Sequence, residues 1–269
     1  MLPNFSLARP QSIREAVSQL TADDVAYAGG TELLMAMKIG LYKPSKLIDL
    51  KHIPELRMIT VQDEMLVIGA AATHHQIARD ALVKEHARVL ADVENQVGNP
   101  RVQSVGTIGG NLCFAEPKSD VLTVLIALDA EIVLESPNGS RKMSIADFTL
   151  GPYTTTREEN ELLTYIYIPF NRIQRGTYLK YQTMERPTAG VAVVESIRNG
   201  ASIRTVVVGA VGEIPARFDF GEEENIDPQE IADSIDPIPD LTGSVLYKKH
   251  IIKVYVQQAL DRLSTEESS

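Results

Sequence analysis

The sequence predicts an α+β fold in three consecutive parts, on three observations. Within roughly the first 50 residues, two apolar strand patterns, 25–28 and KLIDL, flank the helical run LLMAMKIG, which gives this part a βαβ character. Between about 56 and 175, hairpin signals at both ends enclose a long helical stretch. From about 177 onward, the strand-like runs YLKYQTM, VAVVESIR and SIRTVVVGAV precede two helical patterns. That order reads as a three-stranded antiparallel meander with helices at its end.

Taken in order, SIREAVSQL opens with a capping box from Ser12 to Glu15 and sets Ile13, Ala16, Val17 and Leu20 at helical spacing. A short strand at Val25–Ala28 leads into the turn AGGTE, and a helix from about Thr31 is ended by Gly40. RMITV and MLVIGA predict a hairpin around Gln62–Glu64, followed by helices at 73–79 and 81–97. The turn TIGGN then precedes the helical run SDVLTVLIALDA. EIVLES and the segment after Pro137-Asn138-Gly139 form a second hairpin with an Asn-Gly turn. ELLTYIYIP is a further strand, stopped by Pro169. In the last part, Asn199-Gly200 joins two strands, and helices are expected near Pro228–Ser234 and from about Ser244 to Leu263. VVVGAVGEIP (206–215) reads as core strand and turn, and GEEEN (221–225) as a solvated loop.

Composition narrows the function classes. With 44% apolar and 23% charged residues, the 269-residue chain is of ordinary globular type. A net charge of −10 argues against nucleic-acid binding as its task, since that needs a basic face. The single cysteine, Cys113, excludes an internal disulfide and favours a reducing compartment. One thiol also cannot hold an iron–sulfur cluster, which normally takes four ligands. MLPNFSLARP lacks the pattern of a signal peptide, and no apolar run reaches the roughly 20 residues of a membrane span. The expected location is therefore cytoplasmic.

The chemistry is concentrated in two glycine turns of similar design, AGGTE at 28–32 and TIGGN at 107–111. Consecutive glycines let main-chain N–H groups converge on one point and form an anion nest, and a helix starting just after adds to that preference. Thr31, Thr107 and Asn111 offer further neutral donors. A pyrophosphate suits such a pair of nests; a tight turn alone is the simpler reading of either one. Neither turn matches the usual dinucleotide or P-loop fingerprint.

The combination YAGGTELL, GAAATHHQIA, VGTIGGNLCFAEPKSD and ELLTYIYIP resembles the FAD-binding medium subunit of the molybdenum hydroxylases, the group of xanthine dehydrogenase and carbon monoxide dehydrogenase. The resemblance implies an FAD-binding module of the vanillyl-alcohol oxidase (PCMH) type over 1–175, with subdomains at about 1–55 and 56–175, and the family's C-terminal domain over 176–269. It implies FAD as cofactor, with Ala26, Tyr27, Ala28, Gly29, Gly30, Thr31, Glu32 and Leu33 around the pyrophosphate and Thr107, Ile108, Gly109, Gly110 and Asn111 as the second loop. Asp120 matches an aspartate that bonds the adenosine portion, and Leu162 and Lys180 match residues near the isoalloxazine ring.

Other roles stay open for three of these residues. Glu32 suits the first turn of a helix, Asp120 the N-terminus of the next one, and Lys180 the solvent face of a strand. His74 falls in the family's Thr-His pair, where a structural role is expected, and Val97 stands where some relatives place a phenylalanine against the flavin.

No metal ligand and no catalytic acid or base is identified. The implied function is electron transfer: a large molybdopterin-cofactor subunit oxidises the substrate, a small [2Fe–2S] subunit relays electrons, and FAD here passes them to an external acceptor. A stand-alone FAD oxidoreductase of the same fold is the alternative, and a non-catalytic nucleotide-binding protein a more distant one.

Overall fold

The computed structural model describes residues 2–265. The chain begins with β1 (Ser6–Ala8), α1 (Ile13–Gln19), β2 (Asp24–Tyr27), α2 (Leu33–Lys38) and β3 (Lys46–Asp49). β3 lies between β1 and β2 and runs parallel to both, so the short helices cross over as in a βαβ unit. Ser12 caps α1 by accepting from the Glu15 N–H at 3.2 Å. Ala16 and Val17 carry the buried face of α1 onto Ile48, Leu56 and Leu162.

The middle of the chain comprises β4 (Ile59–Gln62), β5 (Met65–Gly69), α3 (His74–Arg79), α4 (Ala81–His86), α5 (Arg88–Glu94), α6 (Pro100–Val105), α7 (Ile108–Phe114), α8 (Asp120–Ala127), β6 (Glu131–Ser136), β7 (Gly139–Ser144), β8 (Thr149–Gly151), β9 (Thr154–Thr155) and β10 (Leu162–Ile168). Five of the strands form an antiparallel sheet in the order β4-β5-β10-β6-β7. Both expected hairpins form. The helix expected over 81–97 is instead two helices, broken at Ala87 (φ −148°, ψ 56°), and the break keeps Val83 and Leu90 in one core. The β8–β9 hairpin went unread because five strand residues are too few for any alternation to show.

The last part contains β11 (Ile173–Tyr181), β12 (Ala189–Arg198), β13 (Ala201–Gly209), β14 (Ala216–Gly221), α9 (Pro228–Ser234) and α10 (Val245–Thr265). Its antiparallel sheet, β11-β12-β13-β14, has four strands and corrects the three-stranded reading. The fourth strand, ARFDFG, follows Pro215 directly and runs into GEEEN, so its flanks look like loop. Its alternation is nonetheless regular: Phe218 and Phe220 pack with the α10 side of the core, while Arg217 and Asp219 join an ionic cluster with Asp129 and Arg198.

This sheet is buried on both faces, which explains its unbroken valine runs. Val191, Val193, Val206 and Val208 face α10, whereas Ala192, Val194 and Val207 face the core that contains α8. Every residue of α8 is buried. Inside the other face, Ile252 of α10 is fully enclosed. Its truncation, Ile252→Ala, is expected to lower unfolding stability by about 2–5 kcal/mol in urea melts, with the far-UV spectrum unchanged.

A buried cation fastens the segment before α10. Lys248, 1% exposed, donates to the Ile238 carbonyl at 2.7 Å and pairs with Asp240 at 3.0 Å; Asp240 also takes Lys118 at 2.7 Å. Burial raises the Asp240 pKa, but hydrogen bonds from Lys118, Thr242 and Lys248 outweigh it and hold the carboxyl well below its ordinary value. A depressed folded-state pKa contributes stability that is complete above the unfolded value of 3.8 and is lost as pH falls through the folded one. Asp240→Asn should therefore flatten the acid limb of the stability–pH curve below about pH 4, as read from urea midpoints at a series of pH values.

Candidate cofactor-binding site

The end of β2 brings the first glycine loop against the chain between α6 and α7. Ala26 packs with the core of the parallel unit, and the Tyr27 ring lies under Lys51 Nζ at 3.8 Å from its centroid. At Gly29 a Cβ would overlap the Val105 carbonyl and crowd Gly106 Cα at 2.8 Å, so only glycine lets the two backbones meet. Gly30 follows with φ +72°, and α2 starts at Leu33 after one further turn.

The N–H groups of Gly29, Gly30, Thr31 and Glu32 have no acceptor among the described residues, and all four residues are half-buried. Four neighbouring donors kept from both protein and full hydration are an open request for an anion.

The second glycine loop differs. Ile108 and Gly109 donate their N–H groups to the carbonyls of Ala72 (3.1 Å) and Ala70 (2.9 Å). Gly110 donates to Thr107 Oγ1 at 3.2 Å and Asn111 to the Thr107 carbonyl at 2.9 Å. All four amides are spent, so this pair is not the second nest that the spacing suggests. Gly109 is needed for close packing, since a Cβ there would stand 2.6 Å from Ala70 Cβ. The loop acts as a wall, with Gly110 exposed on it and the half-buried Asn111 accepting from the Ser119 hydroxyl at 2.7 Å.

Asp120, 8% exposed, opens α8, whose N-cap is Ser119. One carboxylate oxygen accepts from the Tyr178 hydroxyl and the other pairs with Lys180 Nζ at 2.7 Å. Lys180 also donates to the Gln96 carbonyl at 3.0 Å. Burial, then the neighbouring Asp120 charge and hydrogen bond, push the Tyr178 hydroxyl well above its ordinary pKa, so it stays protonated and donating. The sequence reading gives Asp120 to the adenosine portion and Lys180 to the isoalloxazine ring; in the structure the two side chains are in direct contact.

Leu162 is 5% exposed and belongs to the core under Ala26. Glu32 makes no capping bond to α2; its Oε1 accepts from Arg186 Nη2 at 2.6 Å. Arg186 also lies 3.9 Å from Glu116, which accepts from the Tyr153 hydroxyl at 2.9 Å. Arg186 helps line a cleft of about 680 Å³ with Lys118, Thr183, Met184, Asp240 and Leu241.

Arg186 carried no motif signal, and Glu116, although it lies within VGTIGGNLCFAEPKSD, was not singled out. Tyr178 was missed too, although YLKY places it two residues before Lys180 on the same strand face.

A glycine loop with free half-buried donors, walled by a second glycine loop and flanked by a lysine–aspartate pair, could hold a phosphate-bearing cofactor. The family described as "FAD binding domain in molybdopterin dehydrogenase" matches residues 3–171, and the chain belongs to that family. It is 32% identical to the carbon monoxide dehydrogenase medium chain of Hydrogenophaga pseudoflava, over 96% of each chain. It is 29% identical to the glyceraldehyde dehydrogenase medium chain of Sulfolobus acidocaldarius, over 97% of this chain and 99% of that one. Among solved structures, carbon monoxide dehydrogenase from Hydrogenophaga pseudoflava lacking the Mo-pyranopterin moiety of its molybdenum cofactor superposes with a TM-score of 0.88 at 31% identity, covering 98% of this chain and 99% of that one.

The two glycine loops make opposite predictions for a single methyl group. Gly29→Ala should abolish FAD retention through gel filtration. Gly110→Ala, whose Cβ meets only Thr107 Oγ1 at 2.9 Å, should retain FAD, as read from the flavin absorption bands of each purified variant.

Proposed function

We propose that this chain is the FAD-carrying electron-transfer subunit of a molybdenum-containing hydroxylase or dehydrogenase. The observation that carries the reading is the row of unpartnered, half-buried amides at 29–32, inside the span that matches the FAD-binding family. Residues Ala26–Leu33 would hold the pyrophosphate through these amides, and Thr107–Asn111 would close the far wall. Asp120, Tyr178 and Lys180 would act together on one portion of the cofactor, the lysine offsetting the aspartate charge. Leu162 would act from beneath, by supporting the strand end next to Ala26.

When bound, FAD takes up electrons singly and gives up two together, which suits a subunit set between one-electron clusters and a two-electron acceptor. The residues around it bind, orient and neutralise; none is placed to exchange a proton with a substrate. We therefore assign substrate oxidation to a larger subunit with a molybdopterin cofactor and electron relay to a smaller [2Fe–2S] subunit. The relatives' designation as medium chains implies a larger and a smaller companion. An external carrier would accept the electrons.

We further propose the boundaries 1–175 for a two-part FAD module of the vanillyl-alcohol oxidase (PCMH) type, divided near 55, and 176–269 for the C-terminal domain. The confinement of the parallel sheet to 6–49 and the five-stranded sheet to 59–168 supports the first division; the four-stranded sheet spans 173–221, so its first strand crosses the second boundary by three residues. Among the described residues no helix is long and apolar enough to cross a membrane. With a single cysteine, the cytoplasm is the proposed location.

Affinity capture of the tagged chain from its native host, followed by metal analysis, tests the assignment. The expected result is a yellow complex containing molybdenum, iron and two further chains. Recovery of a colourless protein, or of a lone chain with full dehydrogenase activity, would reject it.

A further inference from the structure

Behind the contact between the two loops lies a buried hydrogen-bonded couple with no place in the cofactor outline above. His74 is 3% exposed and Glu94 fully buried, and Glu94 Oε2 accepts from His74 Nδ1. The second carboxylate oxygen, Oε1, is buried with no hydrogen-bond partner among the described residues. Such a group costs desolvation free energy that one hydrogen bond does not fully offset. The couple is therefore a poor device for stability.

Its geometry suits another task. Thr73 starts α3 with a reciprocal capping box to Gln76 and bridges Thr107, which fixes the helix end beside the second glycine loop. The His74 N–H donates to the Gly106 carbonyl at 3.1 Å. The imidazole lies against the same residue: a Cβ on Gly106 would stand 3.0 Å from His74 Cδ2 and 3.3 Å from Nε2. Gly106 in turn meets Gly29 from the other side. Ring, Gly106 and Gly29 form a stack that ends at the free amides, and the carboxylate on Nδ1 sets how the ring stands in it.

We infer that His74 and Glu94 are positioning residues for cofactor binding: the Glu94 carboxylate locks the His74 imidazole as the floor beneath Gly106, and so holds the Gly29–Glu32 amides at the spacing an anion needs. This rests on the FAD reading of the site, and it predicts that binding and stability separate.

The test compares the full-length wild type with Glu94→Leu and Glu94→Gln, using FAD as the titrant and flavin fluorescence quenching as the signal. Leucine removes the uncompensated oxygen and the lock together. Glu94→Leu strands the His74 ring N–H and should melt below the wild type, whereas His74→Phe/Glu94→Leu, which removes both partners, should melt at or above the wild-type temperature without cofactor; both should bind FAD about tenfold more weakly, with faster hydrogen exchange at the residue-74 amide. Glutamine keeps an acceptor for Nδ1 and should bind within about twofold of the wild type. If Glu94→Leu does not fold, the double variant, which removes both partners of the buried pair, carries the test of binding by itself.

Wild-type affinity in the leucine variants, or equal loss in Glu94→Gln and Glu94→Leu, overturns the inference. Failure of the wild type itself to bind FAD would instead reject the cofactor assignment.

Discussion

The site depends on one approach of main chain to main chain, Gly29 against Val105 and Gly106. The loop after β2 and the link between α6 and α7 meet there with no side chain between them. The contact sets the direction in which the Gly29–Glu32 amides point and leaves them without acceptors. A side chain at that point would separate the loops by about the width of a methyl group, more than hydrogen-bond geometry tolerates. The two glycine pairs therefore divide the labour: one supplies donors, and the other spends its donors on holding a surface in place.

Charge pairs then tie this contact to the rest of the chain. Glu32 and Arg186 lie 154 positions apart, Asp120 and Lys180 60, and Lys118 and Asp240 122. Each joins the first or middle part of the chain to the last third, so the cleft beside the first loop exists only when the four-stranded sheet and the loop before α10 are in place. Partial burial makes the Asp120–Lys180 and Lys118–Asp240 pairs stronger than the exposed Glu32–Arg186 pair, because water screens them less. It also makes each partner costly to leave alone. Lys248 and Asp240 show the same economy at the base of the cleft.

Much of this was legible in the sequence, for identifiable reasons. Capping signals, Asn-Gly turns and hairpin alternation are local, so α1, the β6–β7 hairpin and the β12–β13 hairpin were readable from their own residues. The glycine turns were also visible as turns, but which amides stay free depends on Ala70 and Ala72 far upstream of TIGGN, and no local pattern encodes that. β14 was lost between a proline and an acidic run, although Phe218 and Phe220 marked its inner face. The pairing of Lys180 with Asp120 was beyond spacing arguments, since two candidate ligands do not reveal from sequence that they hold each other. Arg186 lies in the loop after β11, and nothing near it announced Glu32 as its partner.

The ends of β14 also bear on how the chain behaves by itself. β14 is an edge strand, hydrogen-bonded to β13 on one side only, and an edge of this kind is a template for adding a foreign strand. Pro215 has no N–H to offer at its start, and at its end the Gly221 N–H is claimed by Glu224 at 2.7 Å within a run of three hydrated glutamates. The edge is thereby held to six residues, with Arg217 and Asp219 drawn into ion pairs across the sheet. The acidic loop that ends β14 is thus a guard against self-association and aggregation.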